Sequence, residues 1–168
     1  ATDGWDGRNF DVAGMLDPLD RRAFDLRGRR VVVLGAGGAG RMAAWAFASR
    51  GARVELAARR DERASAVAAE IGVAASSWPP APGWDLLVNT TPAGTWPQVD
   101  ASPLDRAAIQ GRMVYDLIYN PAETTLLRWA REAGAATIGG LEMLVGQACL
   151  QFEWWIGHRA DPEVMMTA

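Results

Sequence analysis

The stretch from Val31 to Gly40 constrains this chain more than any other. Val31-Val32-Val33-Leu34 is a short apolar run rich in β-branched residues, and it stops at Gly35-Ala36-Gly37-Gly38-Ala39-Gly40. Such a run reads as a strand buried on both faces, as strands of parallel sheets are. Beyond the glycines, Met42 to Ser49 is alanine-rich and favours helix, closed by Gly51. Glycines at 35, 37 and 40 satisfy G-x-G-x-x-G between that strand and that helix. The first permits the tight turn off the strand, the second lets backbone approach a pyrophosphate, and the third lets the helix pack close to the strand. Free N–H groups and the positive end of the helix dipole then face the phosphates. In this context the motif predicts a dinucleotide site, with a purely structural glycine turn as the bland alternative.

The remaining chain keeps the same alternation. Phe10, Val12, Met15, Leu16 and Leu19 recur at helical spacing ahead of a turn at Leu26-Arg27-Gly28. Arg53 to Ala57 is a second strand, followed by a helix over Glu62 to Ile71 with Asp61 as its cap. Val73-Ala74-Ala75 is a weak third strand, Asp85 to Asn89 a stronger fourth, and Met113 to Ile118 a fifth. Thr91 to Gly111 carries three prolines and suits a surface loop over a site. Asn120-Pro121-Ala122-Glu123 has the residues of a helix start, with Asn as cap and Pro at the first position. Ala135 to Ile138 is a sixth strand and Leu141 to Ile156 a final helix, its apolar stripe running through Leu141, Leu144, Val145, Ala148, Phe152 and Trp155. The fold class expected is α/β, a Rossmann-type doubly wound parallel sheet with flanking helices. Ligands in such folds bind at the carboxyl ends of the strands. The loops after Leu34, Ala57, Asn89 and Ile118 should therefore converge on one site.

The end of the second strand decides which dinucleotide is expected. An NAD site places Asp or Glu there for the ribose 2′-hydroxyl, and an NADP site places arginine near the 2′-phosphate. Glu55 has roughly the right spacing but sits mid-strand. The strand ends at Ala58-Arg59-Arg60, with Arg63 one helical turn on, so guanidiniums stand where a phosphate would want them. NADP is the expected cofactor; a solvated basic turn is the alternative.

Composition removes other classes. A net charge of −3 gives no electrostatic case for nucleic acid or an anionic membrane. No apolar run approaches the roughly 18 residues of a membrane span, and a lone Cys149 fits a reducing cytoplasm. No metal site is expected, and the one histidine, His158, reads as a helix-end surface residue. Cys149 reads as core, and the eight tryptophans read mostly as packing.

Several segments together resemble one family. Thr2-Asp3-Gly4, the Gly35–Ala39 turn, Ala58-Arg59-Arg60, Asn89-Thr90-Thr91-Pro92-Ala93-Gly94 and Tyr115-Asp116-Leu117-Ile118-Tyr119-Asn120-Pro121 follow the motif order of shikimate dehydrogenase. Gly140-Leu141-Glu142-Met143-Leu144-Val145-Gly146-Gln147-Ala148 is the most specific match, because a generic Rossmann domain has no reason to carry it. The resemblance covers essentially the whole chain. It implies NADP-dependent reduction of 3-dehydroshikimate to shikimate, in aromatic amino-acid biosynthesis on the chorismate pathway. It implies that Gly35, Ala36, Gly37, Gly38, Ala39 and Gly40 hold the pyrophosphate, and that Arg59 and Arg63, beside Ala58 and Arg60, hold the 2′-phosphate. Thr91, Leu117, Gly140 and Met143 would line the nicotinamide side, Tyr119 and Gln147 would reach substrate hydroxyls, and Asp3 matches the aspartate of the catalytic Lys–Asp pair. Residues 1–25 would be an interdomain segment and linking helix, 26–139 the NADP-binding domain, and 140–168 a C-terminal helix packing toward substrate.

Two departures stand out. Ala58 replaces the motif's asparagine, and all seventeen basic residues are arginine. The family's proton donor is a lysine from an N-terminal substrate domain, and arginine cannot readily cycle a proton. The expectation is a C-terminal part of such an enzyme, inactive alone, with the missing domain or a homo-oligomer as partner and an exposed apolar face. A quinate/shikimate-type dehydrogenase, a non-catalytic NADP-binding module or another Rossmann dehydrogenase are the other readings.

Overall fold

The computed structural model describes Gly4 and residues 7–167. Six parallel strands form one sheet: β1 (Arg30–Leu34), β2 (Arg53–Ala57), β3 (Ala74–Ser76), β4 (Leu86–Asn89), β5 (Met113–Asp116) and β6 (Ala136–Ile138), in the spatial order β3-β2-β1-β4-β5-β6. The helices are α1 (Asp11–Arg21), α2 (Gly38–Ser49), α3 (Asp61–Ile71), α4 (Thr125–Glu132), α5 (Gly140–Ile156) and α6 (Pro162–Thr167). This is the doubly wound sheet that the strand–helix alternation predicts. The strand order reverses between β1 and β4, which is where ligands bind in open α/β sheets.

The apolar run at Val31–Leu34 serves two cores at once. Val31 and Val33 face a cluster with Met15, Leu19, Phe47, Leu56 and Val88, covered by α1, α2 and α3. Val32 and Leu34 face the other, with Leu87, Val114, Leu126 and Trp84, under α4 and the Leu104–Ile109 segment. All four are fully buried. Each contributes about 1.5–3 kcal/mol of transfer energy, so polar substitution on either face is costly.

Local starts differ from the sequence expectation in three places. Asp61 lies inside α3 rather than capping it; Arg60 is the flanking residue and makes no side-chain cap bond. Asp61 and Glu62 instead set negative charge against the positive end of the helix dipole. Asn120 does not cap a helix either. Its carbonyl accepts from Trp96 N at 3.3 Å, and α4 begins after Thr124. Buried Thr124 outcompetes it because its hydroxyl accepts from Leu127 N at 3.2 Å while donating to Asp116 Oδ2 at 2.6 Å. The third case is α2, which starts at Gly38 rather than Met42, so the glycine turn is itself the helix start.

The final helix packs differently from its stripe. α5 runs antiparallel to α1: Glu142 takes a two-pronged bond from Arg22, at 2.8 and 3.0 Å, Gly146 meets Gly14, and Trp154 meets the Phe10 ring at 5.8 Å. Of the predicted stripe only Val145 is buried, while Phe152 and Trp155 are 39% and 69% exposed. α1 has 11 residues and α5 has 17, so α1 alone is too short to cover the whole stripe. Cys149, expected in the core, is only half-buried, with Sγ 3.5 Å from Met165 Sδ. Among the tryptophans, Trp84 is core, but Trp45, Trp96 and Trp155 are largely exposed. His158 lies exposed just past the Gly157 cap, as expected. No described helix is long and apolar enough to cross a membrane.

Candidate functional site

The carboxyl edge of the sheet carries a continuous cleft. Its centre is the turn between β1 and α2. Gly35 has φ +109°, a conformation that suits glycine, and a Cβ there would lie 2.7 Å from Thr90 Oγ1. A Cβ at Gly40 would lie 1.8 Å from the Gly35 carbonyl oxygen, so only glycine lets the helix close on the turn. Gly37 and Gly38 differ. A Cβ on either would meet nothing within 4 Å, so their missing side chains leave open space above the turn. The first N–H groups of α2 have no intrahelical acceptor and no acidic residue in the first turn to answer them.

Beside this turn lies a cavity of about 240 Å³ whose charged lining residues are Arg59, Arg60 and Arg63, alongside Gly35, Ala36, Gly37 and Ala58. Among the described residues, no carboxylate lines it. Arg63 is fixed to the turn by an Nε–H bond to the Ala36 carbonyl at 3.1 Å. Glu55 is turned away: its carboxylate accepts from Arg30 Nε at 2.7 Å and Nη2 at 2.9 Å, which holds its pKa below the usual carboxylate range. This turn therefore fits an anion of high charge, with glycine backbone for a pyrophosphate and guanidiniums for a further phosphate.

The loops after β4 and β5 are joined by a buried polar network. Asn89 Nδ2 donates to Asp116 Oδ1 at 2.9 Å, and Asn89 Oδ1 accepts from Thr91 N at 3.0 Å and Thr91 Oγ1 at 2.7 Å. Asp116 also accepts from Ile118 N at 3.1 Å and from Thr124. Burial pushes the Asp116 carboxyl up to about 6, against the lowering effect of the hydrogen bonds from Thr124, Ile118 N and Asn89. This network fixes Thr91 and the Leu117–Ile118 backbone relative to each other. Neither Asn89 nor Asp116 is among the residues expected at the site; the sequence signal for both is a polar residue ending an apolar strand.

The expected site residues divide accordingly. Thr91 lines the arginine cavity, and Leu117 and Tyr119 line another of about 310 Å³ with Thr95 and Trp96. Gly140 is tied to the same loop by its N–H bond to Ile118 O at 3.2 Å, and Met143 and Leu117 both pack onto one core cluster. Gly38 and Ala39 are exposed at the turn. Tyr119 is 55% exposed. Gln147 is not brought into the Tyr119 cavity: it is half-buried on α5, its backbone against Gly14 of α1. Asp3 lies outside the described residues. Trp78, Thr90 and Pro92 line the arginine cavity without having been singled out.

Comparison with known proteins bears on this arrangement. The family described as "Shikimate 5'-dehydrogenase C-terminal domain" matches residues 140–168. The NADP(+) shikimate dehydrogenase of Moorella thermoacetica is 40% identical over 95% of this chain. Over nearly its whole length the chain is similar to shikimate dehydrogenases, and residues 140–168 match their C-terminal domain. It corresponds to the C-terminal part of those relatives and spans 59% of the Moorella protein. The shikimate 5-dehydrogenase of Thermus thermophilus, solved with NADP(H) and shikimate, superposes with a TM-score of 0.86 at 38% identity, covering 96% of this chain and 61% of that one. A quinate dehydrogenase from Corynebacterium glutamicum, solved with NAD, gives a TM-score of 0.82 at 29% identity, covering 96% and 61%.

Proposed function

We propose that this chain is the NADP(H)-binding part of a shikimate dehydrogenase, serving reversible reduction of 3-dehydroshikimate to shikimate. The observation that carries the reading is the cleft with three arginines and, among the described residues, no carboxylate around an open glycine turn. Backbone N–H groups from Gly35 to Gly40 would hold the pyrophosphate. Arg59 and Arg63 would take the 2′-phosphate, with Ala58 and Arg60 beside them. Bound NADPH supplies the hydride; the protein supplies position and exclusion of water. Thr91, Leu117, Gly140 and Met143 would border the nicotinamide, Thr91 being held by Asn89. Tyr119 and Gln147 would bind substrate hydroxyls once α5 and the loop after β5 are drawn together around substrate. Asp3 would act with a lysine as the proton-transferring pair, and these 168 residues contain no lysine. Residues 26–139 would thus carry the cofactor, with 1–25 joining it to a substrate domain and 140–168 closing on substrate.

Calorimetry tests the cofactor assignment. NADP+ should bind more tightly than NAD+, and Arg59→Ala should cost NADP+ about 1.5–3 kcal/mol while leaving NAD+ unchanged. Unchanged NADP+ binding in that variant refutes the 2′-phosphate site. Turnover of shikimate by this polypeptide alone should not exceed background. A quinate-type, NAD-using reading is favoured by one observation: Ala58 stands where the family has a polar asparagine, and a quinate dehydrogenase solved with NAD shares the fold. Tighter binding of NAD+ than NADP+ would select it.

A further inference from the structure

Trp78 has no part in the reading above, but its place in the fold gives it one. Ser76 at the end of β3 is in register with Ala57 at the end of β2. Trp78 and Arg59 therefore each stand two residues beyond the carboxyl ends of neighbouring strands. Trp78 is half-buried, packed against the core cluster that contains Leu34 and Ala57. That packing anchors the ring, so little further side-chain entropy is lost when a ligand meets it. Its open side borders two adjoining cavities, the 240 Å³ one at the glycine turn and one of about 410 Å³ under the loop after β4. Arg59, Thr91 and Pro92 border both as well. Among the described residues, Trp78 is the one aromatic ring that lines both cavities; Trp96 lines only the larger.

We propose that Trp78 is a cofactor-binding residue whose indole stacks on the adenine base. This rests on the NADP reading. With the pyrophosphate at Gly37 and the 2′-phosphate between Arg59 and Arg63, the base is one glycosidic bond from the ribose and must leave the arginines toward a neighbouring surface. The adjoining cavity, bordered by Trp78 and Arg59, offers that room. An indole face binds a purine through dispersion and π-stacking with no demand on hydrogen-bond pattern. The role predicted is affinity for the adenosine half of the cofactor, not chemistry at the nicotinamide.

The test uses 2′,5′-ADP, NADP+ and nicotinamide mononucleotide as probes, with affinities from calorimetry on the full 168-residue chain. Trp78→Leu keeps an apolar anchor but has no π-face, and Trp78→Phe keeps both; circular dichroism checks that each remains folded. Trp78→Leu should weaken 2′,5′-ADP and NADP+ by on the order of tenfold or more, the lower range of base–aromatic stacking. Trp78→Phe should restore most of that loss, and nicotinamide mononucleotide should bind all three proteins alike. If Trp78→Leu binds 2′,5′-ADP as the parent does while Arg59→Ala does not, stacking is overturned and the cofactor reading survives. If the parent itself does not bind 2′,5′-ADP, both fall together.

Discussion

Two glycines three positions apart in one motif have opposite physical jobs. Gly40 is required by the fold, since an added Cβ would stand 1.8 Å from a backbone oxygen of its own turn. Gly37 is not: its φ of −91° suits any residue, and a Cβ there meets nothing within 4 Å. Gly40→Ala should therefore destabilise the protein by about 1–3 kcal/mol, as overpacking does, and lower its melting temperature. Gly37→Val should melt like the parent yet bind NADP+ at least an order of magnitude more weakly, because the isopropyl group fills the space a pyrophosphate would use. Calorimetry showing parent-like binding by Gly37→Val would refute the pyrophosphate assignment. The sequence motif treats these glycines alike; only the distances tell them apart.

At the scale of elements, β4 and β5 are coupled through charge held out of water. Asp116 is fully buried, and its carboxyl is displaced from 3.8 up to about 6, chiefly by that burial. A carboxyl with a folded pKa above its unfolded value holds its proton more tightly in the fold. Its contribution to stability is complete below about pH 4 and is lost as pH rises through about 6, a total on the order of 3 kcal/mol. Glu55 and Asp85, displaced downward by Arg30 and its neighbours, act in the opposite sense, so the effect is read as a difference between two proteins. Urea titrations of the parent and Asp116→Asn between pH 4 and 7 should diverge, the variant gaining relative stability as pH rises. Parallel curves would show that Asp116 does not titrate in this window.

At the scale of the whole molecule, α5 leaves apolar surface without a partner among the described residues. Phe152, Trp155 and Ile156 are exposed at its end, beside Trp154 with its Phe10 contact, and Val164 and Met166 are exposed on α6. Large apolar side chains left exposed together on neighbouring helices are the material of an interaction surface. The chain spans 59% of the length of its Moorella relative, and a face that would meet a substrate domain is an expected place for such a patch. Sedimentation of this polypeptide should show concentration-dependent self-association, and Trp155→Glu combined with Ile156→Glu should suppress it. A parent that stays monomeric across concentration would argue that the patch does not drive association.

The sequence by itself determined the sheet, the site edge and the likeness to shikimate dehydrogenases. Alternating strands and helices dictate parallel connections, and parallel connections gather the loops after Leu34, Ala57, Asn89 and Ile118 at one edge. Local pattern also pointed to Arg59 and Arg63, which the structure brings into one cavity with the glycine turn because both follow directly on the end of β2. The tertiary structure decided what depends on contacts between distant segments. Thr124 displaced Asn120 as a helix cap because a buried carboxylate from β5 lies within reach of its hydroxyl. Phe152 and Trp155 of the α5 stripe stay exposed because α1, set more than a hundred residues earlier in sequence, is too short to cover the whole helix it supports. Trp78 came beside Arg59 only because β3 pairs with β2. Spacing along a chain encodes periodicity and turns, whereas competition for a hydrogen bond, the length of a neighbour and the pairing of strands are settled only when the chain packs.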